Sequence, residues 1–440
     1  MMTRIVMDVD TGIDDTLALA YVLAAVRAGE CELAGVVGTY GNVLASTAMA
    51  NNRAVLRLFD AAVPGGTSGV PTPRGCVCPS WADGFAVDEG CARFHGDNGL
   101  GNVDPTRYGD RPSDGGTAGL VGPNDESGSD DAPTITVADR MRAASRPAVL
   151  SLGGERHDLP VRLADGDGDD AAQPFGGQTR AETMNLAASD ASYANRPSQW
   201  RADCPEASRP DGLPAGVRLI IDEVRAHGRD VTVLATGPLT DVDAALAAAP
   251  DIAERMRLVM MGGALTQEGN CYDLICETNI FQDPEAANRV FRSGADVTMI
   301  GLDVTHQCLL TRADAESWRA ADGPREDGDR PGAGAFLADM ARFYIGANEA
   351  SDPLFLAGSP LHDPLAAAVA LDPALVTCFD VNMMTETSTG NGHGFRGRTI
   401  GDPTRLRDPR KTAHVALNVD AARAAASIRD RIGELCANNA

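Results

Sequence analysis

Lysine is almost absent from this 440-residue sequence: Lys411 is the only one among 38 basic residues, and arginine supplies the rest. Acidic residues number 62, and the formal net charge is −24. Such a balance repels phosphate backbones, so nucleic acid is not an expected partner. Carboxylates hold water and counter-ions at a surface, whereas lysine stems expose apolar area; concentrated salt screens the self-repulsion of so many acids. The composition therefore points to a salt-rich surrounding. Long apolar runs are missing too. None approaches the roughly 18–20 residues that span a bilayer, so no membrane partner is expected. The opening "MMTRIVMDVD" enters a strand-like run without the apolar stretch of a signal peptide, which makes the cytoplasm the expected location. The ten cysteines contain no C-x-x-C pair, and no second pair complements Cys76 and Cys78 at zinc-ribbon spacing. Scattered buried thiols are the expectation.

What the sequence does have is alternation. Strand-like residues 5–7 precede a helical pattern over 14–28, and a strand over 33–37 precedes a helix over 46–59. The pattern resumes near Val217, with strands predicted over 231–235, 258–261 and 297–301 and helices over 284–292, 364–370 and 421–435. Strands alternating with helices imply a doubly wound α/β fold, a mostly parallel sheet with helices on both faces. Residues 1–440 read as a single domain interrupted by residues 104–212. That interruption contains "DGGTAGLVGPNDESGSDDAP" and "ADGDGDDAAQPFGG". Such stretches bury too little apolar area to offset chain entropy, so a long acidic insertion, partly disordered, is expected there.

The stretch "MDVDTGIDDTLAL" places Asp8, Asp10, Asp14 and Asp15 where a strand passes into a helix. In open α/β sheets ligands bind beyond the carboxyl ends of the strands. A helix N-terminus offsets part of the repulsion among carboxylates. A hard divalent cation, which takes six or more oxygens, offsets more. Asp10 and Asp15 read as ligands, leaving Asp8 and Asp14 to orient the site or bind substrate hydroxyls. Three other stretches carry similar chemistry. "YGNV" supplies Gly41 and Asn42, "FHGDNGLGN" supplies His95, Asp97 and Asn98, and "SPLHDPLAAA" sets His362 and Asp363 before a helix. Asp363 would close the coordination of a metal, and His362 is placed as a proton donor near neutral pH.

Together these stretches resemble the inosine-uridine nucleoside hydrolase family. The likeness continues, in family order, through "LATGPLTDV", "VMMGGAL", "ETNIFQDPEAANRVFRSG" and "MIGLDVTHQ", and covers most of residues 3–103 and 214–440. The resemblance implies calcium-dependent hydrolysis of purine or pyrimidine ribonucleosides to free base and ribose, by a homodimer or homotetramer. It implies Ca²⁺ held by Asp10, Asp15, Asp363 and the backbone carbonyl of Thr236. Asp10 would deprotonate the attacking water. Asp14, Asn42, Asn270, Glu277, Asn279 and Asp363 would surround the ribose, with Met261 beneath it. His362 would protonate or steer the leaving base, and His95 would line the base side. These residue types suit the chemistry, because cleaving an N-glycosidic bond builds positive charge on the ribose that carboxylates and amide oxygens stabilise. Three features depart from the family pattern. Thr278 stands where an aromatic is common, the spacing from Asn270 to Glu277 is one residue longer than usual, and the family lacks so long an insertion. Tyr344, in "ARFYIGANEA", is a further candidate to stack on a base.

Two rivals share parts of this pattern. In a haloacid-dehalogenase-like phosphatase, "DVDTG" would supply Asp8 as nucleophile and Asp10 as acid, with "GDPTRLRD" as the late acidic motif. That chemistry needs a lysine between the two motifs, and Lys411 follows both. A non-catalytic Ca²⁺-dependent ribose- or nucleoside-binding protein would share the metal and ribose contacts and differ only in turnover. The composition of the insertion itself yields a prediction. Deleting residues 112–133 and 164–178 is expected to leave a cooperative melting transition by calorimetry; its disappearance would show that these segments support the core.

Overall fold

A computed structural model describes residues 3–109, 212–271, 274–324, 330–389 and 394–439. The Gly/Asp-rich stretches of the expected insertion lie outside the described residues. The strands are β1 (Thr3–Val9), β2 (Cys31–Gly38), β3 (Val231–Ala235), β4 (Arg257–Met261), β5 (Asp296–Ile300), β6 (Leu309–Leu310), β7 (Ser359–Pro360), β8 (Val376–Val381), β9 (Met383–Thr385), β10 (Thr399–Gly401) and β11 (Ala413–Val419). Seven of them form one sheet in the order β2-β1-β3-β4-β5-β11-β8. Every pairing in it is parallel except that of β8, which runs antiparallel to β11 at the edge.

Strand β1 shows how the sequence produces this arrangement. Side chains alternate between the two faces of a strand. Ile5, Met7 and Val9 join the core on one face, and Val6 joins the core on the other. A strand covered on both faces reads as a continuous apolar run, as "IVM" does. The helix Ile13–Arg27 that follows is buried from Ile13 through Ala25, consistent with its apolar character all round. It packs against β2 and the helices His362–Leu371 and Ala421–Ala437. The opposite face is covered by the helices Ala215–His227, Thr240–Ala248 and Pro284–Arg292.

The chain leaves β1 toward β2 on one side and later returns to β3 on the other. That reversal opens a crevice at the carboxyl ends of β1 and β3, where such sheets place ligands. Asp8 of β1 lies in register with Ala235 of β3, and the Thr236 N–H donates to the Asp8 carbonyl at 2.9 Å. The two strand ends are thereby held level.

Residues 104–109, at the start of the expected insertion, find partners in the folded body. Asp104 caps the short helical turn Pro105–Arg107, the Tyr108 hydroxyl donates to Asp339 at 2.7 Å, and the Gly109 N–H donates to the Pro331 carbonyl at 2.8 Å. Seven of the nine described cysteines are buried, as their scatter implied. Among the described residues no helix is long and apolar enough to cross a membrane.

Candidate functional site

Beyond β1 the chain turns sharply. Thr11 has φ +20° and Gly12 caps the helix Ile13–Arg27. The Gly12 N–H donates to Asp15 Oδ2 at 2.8 Å, and the Thr236 hydroxyl donates to Asp15 Oδ1 at 2.6 Å. Asp10 is gripped from another segment: its Oδ2 accepts from the Asn42 N–H at 2.8 Å and its Oδ1 from the Asn42 amide at 3.2 Å. The approach requires Gly41, whose φ is +156° and whose missing Cβ would overlap the Asp10 carboxylate. Three distant segments meet here because β1, β2 and β3 are neighbours in the sheet.

A second layer orients the first. The Asn279 amide donates to the Thr236 carbonyl at 2.8 Å and to the Met261 carbonyl at 3.2 Å, joining the ends of β3 and β4. Glu277 caps the helix Thr278–Gln282, accepting from Asn279 N–H at 2.9 Å, Ile280 N–H at 3.1 Å and Gly263 N–H at 2.9 Å. The expected ribose contact Asn270 is exposed, and its Oδ1 accepts from Thr278 N–H at 3.0 Å. It secures a loop and is not brought into the buried group. Asn98 likewise serves its own loop, accepting from the Leu100 and Asn102 N–H groups at 2.9 Å.

Asp10, Asp14, Asp15 and Asp363 are all buried. One carboxylate oxygen from each of Asp14, Asp15 and Asp363 lies within 4.8 Å of the others. Burial, then the charge on Asp15, pushes Asp10 well above the usual carboxylate range. Burial raises Asp14 to about 6, and burial with the Asp14 charge raises Asp15 to about 6. Asp363 is pushed well up by burial and by Asp14, Asp15 and Asp10. Asp14 Oδ1 has no hydrogen-bond partner among the described residues. Repelling oxygens with an orphaned lone pair make an all-oxygen donor set. That set fits a hard divalent cation such as Ca²⁺ and suits soft metals poorly.

Asp8 separates from the other three aspartates. It lies on the opposite side of β1, wholly buried against Asp241, and burial and that neighbour push its pKa well up. The two histidines flank the group. His95 Nδ1 accepts from the Ile13 N–H at 3.2 Å, so its proton sits on Nε2, and burial lowers its pKa to about 4. His362 Nδ1 lies 2.8 Å from the Thr305 hydroxyl, and burial, then His306, pushes its pKa well below 6.5. Burial therefore disfavours a charge on the His362 ring. A neutral ring still donates through Nε2–H when the Thr305 hydroxyl donates to Nδ1. His306, read as structural, packs edge-on to Phe355 with ring centroids 5.2 Å apart.

Sequence reasoning missed Thr305, Asp241 and the bond from the Tyr344 hydroxyl to Asp14 Oδ2 at 3.4 Å. Thr305 lay inside the motif "DVTHQ", where only His306 drew notice. Asp241 lay inside the matched "LATGPLTDV" and reads as an ordinary acid in a helix's first turn.

A family model described as inosine-uridine preferring nucleoside hydrolase matches residues 5–426. The chain is 34% identical over 222 residues to the pyrimidine-specific ribonucleoside hydrolase RihA of Klebsiella pneumoniae (strain 342), covering 50% of this chain and 67% of that protein. It is 35% identical over 205 residues to the RihA of Shewanella sp. (strain MR-7), covering 46% and 60%. Among solved structures it is similar to a purine-preferring ribonucleoside hydrolase from Gardnerella vaginalis, with TM-score 0.66, 34% identity and 99% of each chain covered. A plant nucleoside hydrolase, with TM-score 0.60, 22% identity and 98% of this chain and 99% of that chain covered, shares the fold.

The electrostatics generate a pH prediction. Unfolded, Asp14 and Asp15 would titrate near 4; folded without a cation they hold their protons to about 6. The folded form then binds more protons than the unfolded, so cation-free protein loses stability as pH rises from about 4 through 6. A bound cation removes that loss. The difference in Tm between calcium-loaded and chelated protein is expected to widen across this window in stepped-pH scanning calorimetry. A difference that stays flat would contradict the reading of these carboxylates as a cation site.

Proposed function

The chain belongs to the inosine-uridine preferring nucleoside hydrolase family, and we propose that within it the chain is a calcium-dependent hydrolase releasing free base and ribose from purine or pyrimidine ribonucleosides. The observation that carries this reading is the buried carboxylate group at the carboxyl ends of β1 and β3, whose members cannot all be charged without a cation. The similar proteins include one named pyrimidine-specific and one named purine-preferring at the same 34% identity, so both base classes belong to the proposal. The acid excess and near-absence of lysine support operation in concentrated salt.

Asp10, Asp15, Asp363 and the Thr236 carbonyl would hold the calcium, which would supply a positive centre that makes water more acidic. Asp10 is the base. Its burial gives it a high proton affinity, and Asn42 fixes both of its oxygens so that the carboxylate is aimed before substrate arrives. Asp14 keeps an oxygen free for a ribose hydroxyl. As the glycosidic bond breaks, positive charge spreads over the ribose ring, and the surrounding carboxylates favour that state over the neutral substrate. The leaving base gains electron density and is met by the His362 ring, held through Thr305.

A binding protein without turnover would make the same contacts, and only the fate of the substrate separates the two. Asp10→Asn is expected to bind inosine or uridine by calorimetry while releasing almost no reducing sugar; full activity in the calcium-loaded variant would remove Asp10 as the base. His362→Ala is expected to slow natural nucleosides by ~10²–10⁴-fold and to spare nitrophenyl riboside, whose leaving group needs no proton. Equal losses on both substrates would remove His362 from the leaving-group step.

A further inference from the structure

The helix Ala333–Ser351 is buried along much of its length, yet it carries two polar side chains into the apolar core, Tyr344 and Asn348. Four residues apart, they share one face. The Asn348 amide nitrogen lies 3.0 Å from the Tyr344 carbonyl and 2.9 Å from Ser359 Oγ in β7. A carbonyl only accepts, which fixes the orientation of the amide, and an amide nitrogen only donates. Ser359 Oγ therefore accepts from Asn348, which leaves the serine proton free for the neighbouring Tyr344 oxygen. The phenol proton is then left for Asp14 Oδ2 at 3.4 Å.

We infer that Asn348, Ser359 and Tyr344 form a one-way hydrogen-bond relay that positions Asp14 for the ribose hydroxyls. All three protons point toward the carboxylate, and such chains strengthen one another in a low-dielectric interior. The relay occupies Oδ2, so Oδ1, which has no partner among the described residues, is the oxygen presented to the site. The His95 ring, its centroid 5.5 Å from that of Tyr344 and its Nδ1 3.7 Å from Asp14 Oδ1, closes the other flank. Tyr344 is thus a positioning residue and not a base-stacking one: it is buried, and its hydroxyl is committed.

The inference rests on the hydrolase reading above, and a double-mutant cycle separates the two. Tyr344→Phe, Asp14→Asn and the double variant are compared in the full chain for kcat and KM on inosine and uridine, and for calcium affinity by titration calorimetry. Loss of a hydrogen bond to a charged group is expected to cut kcat/KM of Tyr344→Phe by roughly tenfold or more and to weaken calcium binding. In the Asp14→Asn background the same substitution is expected to change either quantity by less than about twofold, since the oxygen it served is no longer charged. Ser359→Ala is expected to give a smaller loss in the same direction, and it serves as the test should Tyr344→Phe not fold. Equal factors in both backgrounds, or Tyr344→Phe indistinguishable from wild type, would overturn the relay. A wild-type chain that neither binds calcium nor cleaves nucleosides would overturn the hydrolase reading, and the relay with it.

Discussion

Four buried carboxylates that cannot all be charged without a counter-ion are the constraint on which the rest of the site depends. Their neighbours in the fold supply dipoles, not charge: the Gly12 N–H and Thr236 hydroxyl on Asp15, the Asn42 amide and N–H on Asp10, and the Tyr344 hydroxyl on Asp14. Among the described residues, none of the four pairs with an arginine or with Lys411. In a low-dielectric interior hydrogen bonds alone leave such a group short of compensation. That deficit appears as the raised proton affinities of all four. In the proposed mechanism the same deficit favours a hard cation and suits Asp10 to the role of base.

The sheet order explains how segments far apart in sequence reach one point. The reversal at β1 brings Asp10 and Asp15 beside Thr236 across β3, and the Asn279 amide extends the tie to β4. The helix beginning at His362 packs on the helix Ile13–Arg27 and delivers Asp363 to Asp14 and Asp15. Strand alternation and the turn at Thr11 divide the four aspartates of the first motif. Asp8, still within β1, faces Asp241, while Asp10, Asp14 and Asp15 emerge past the strand end. One motif thereby supplies both a structural acid and a functional group.

Much of this was legible because its signals are local. The strand at 231–235 and the helix at 284–292 match the structure to the residue, and the other predicted elements differ from it by a few residues at their ends. Burial on both faces makes these strands apolar throughout, and helix starts carry their own acids. Strand β8, "VTCFDV", is half-exposed at the sheet edge and offers no comparable run. That Asp14, Asp15 and Asp363 share one place was legible for the same reason, since motifs quote side chains directly. What could not be read were contacts set by tertiary packing: Thr305 on His362, Asp241 against Asp8, and Tyr344 on Asp14. The burial of His362 belongs with them: a histidine beside an aspartate in sequence looks ready to be protonated, and tertiary packing disfavours that charge.

The central claim is that the carboxylate group works only when a cation compensates it. The most direct measurement is to strip the full chain with chelator and then titrate Ca²⁺ back. Reducing sugar released from inosine and uridine is followed together with the metal content of the protein. Activity that vanishes on stripping and returns in proportion to bound calcium is the expected result. Undiminished release of ribose from protein shown by elemental analysis to hold no divalent cation would contradict it.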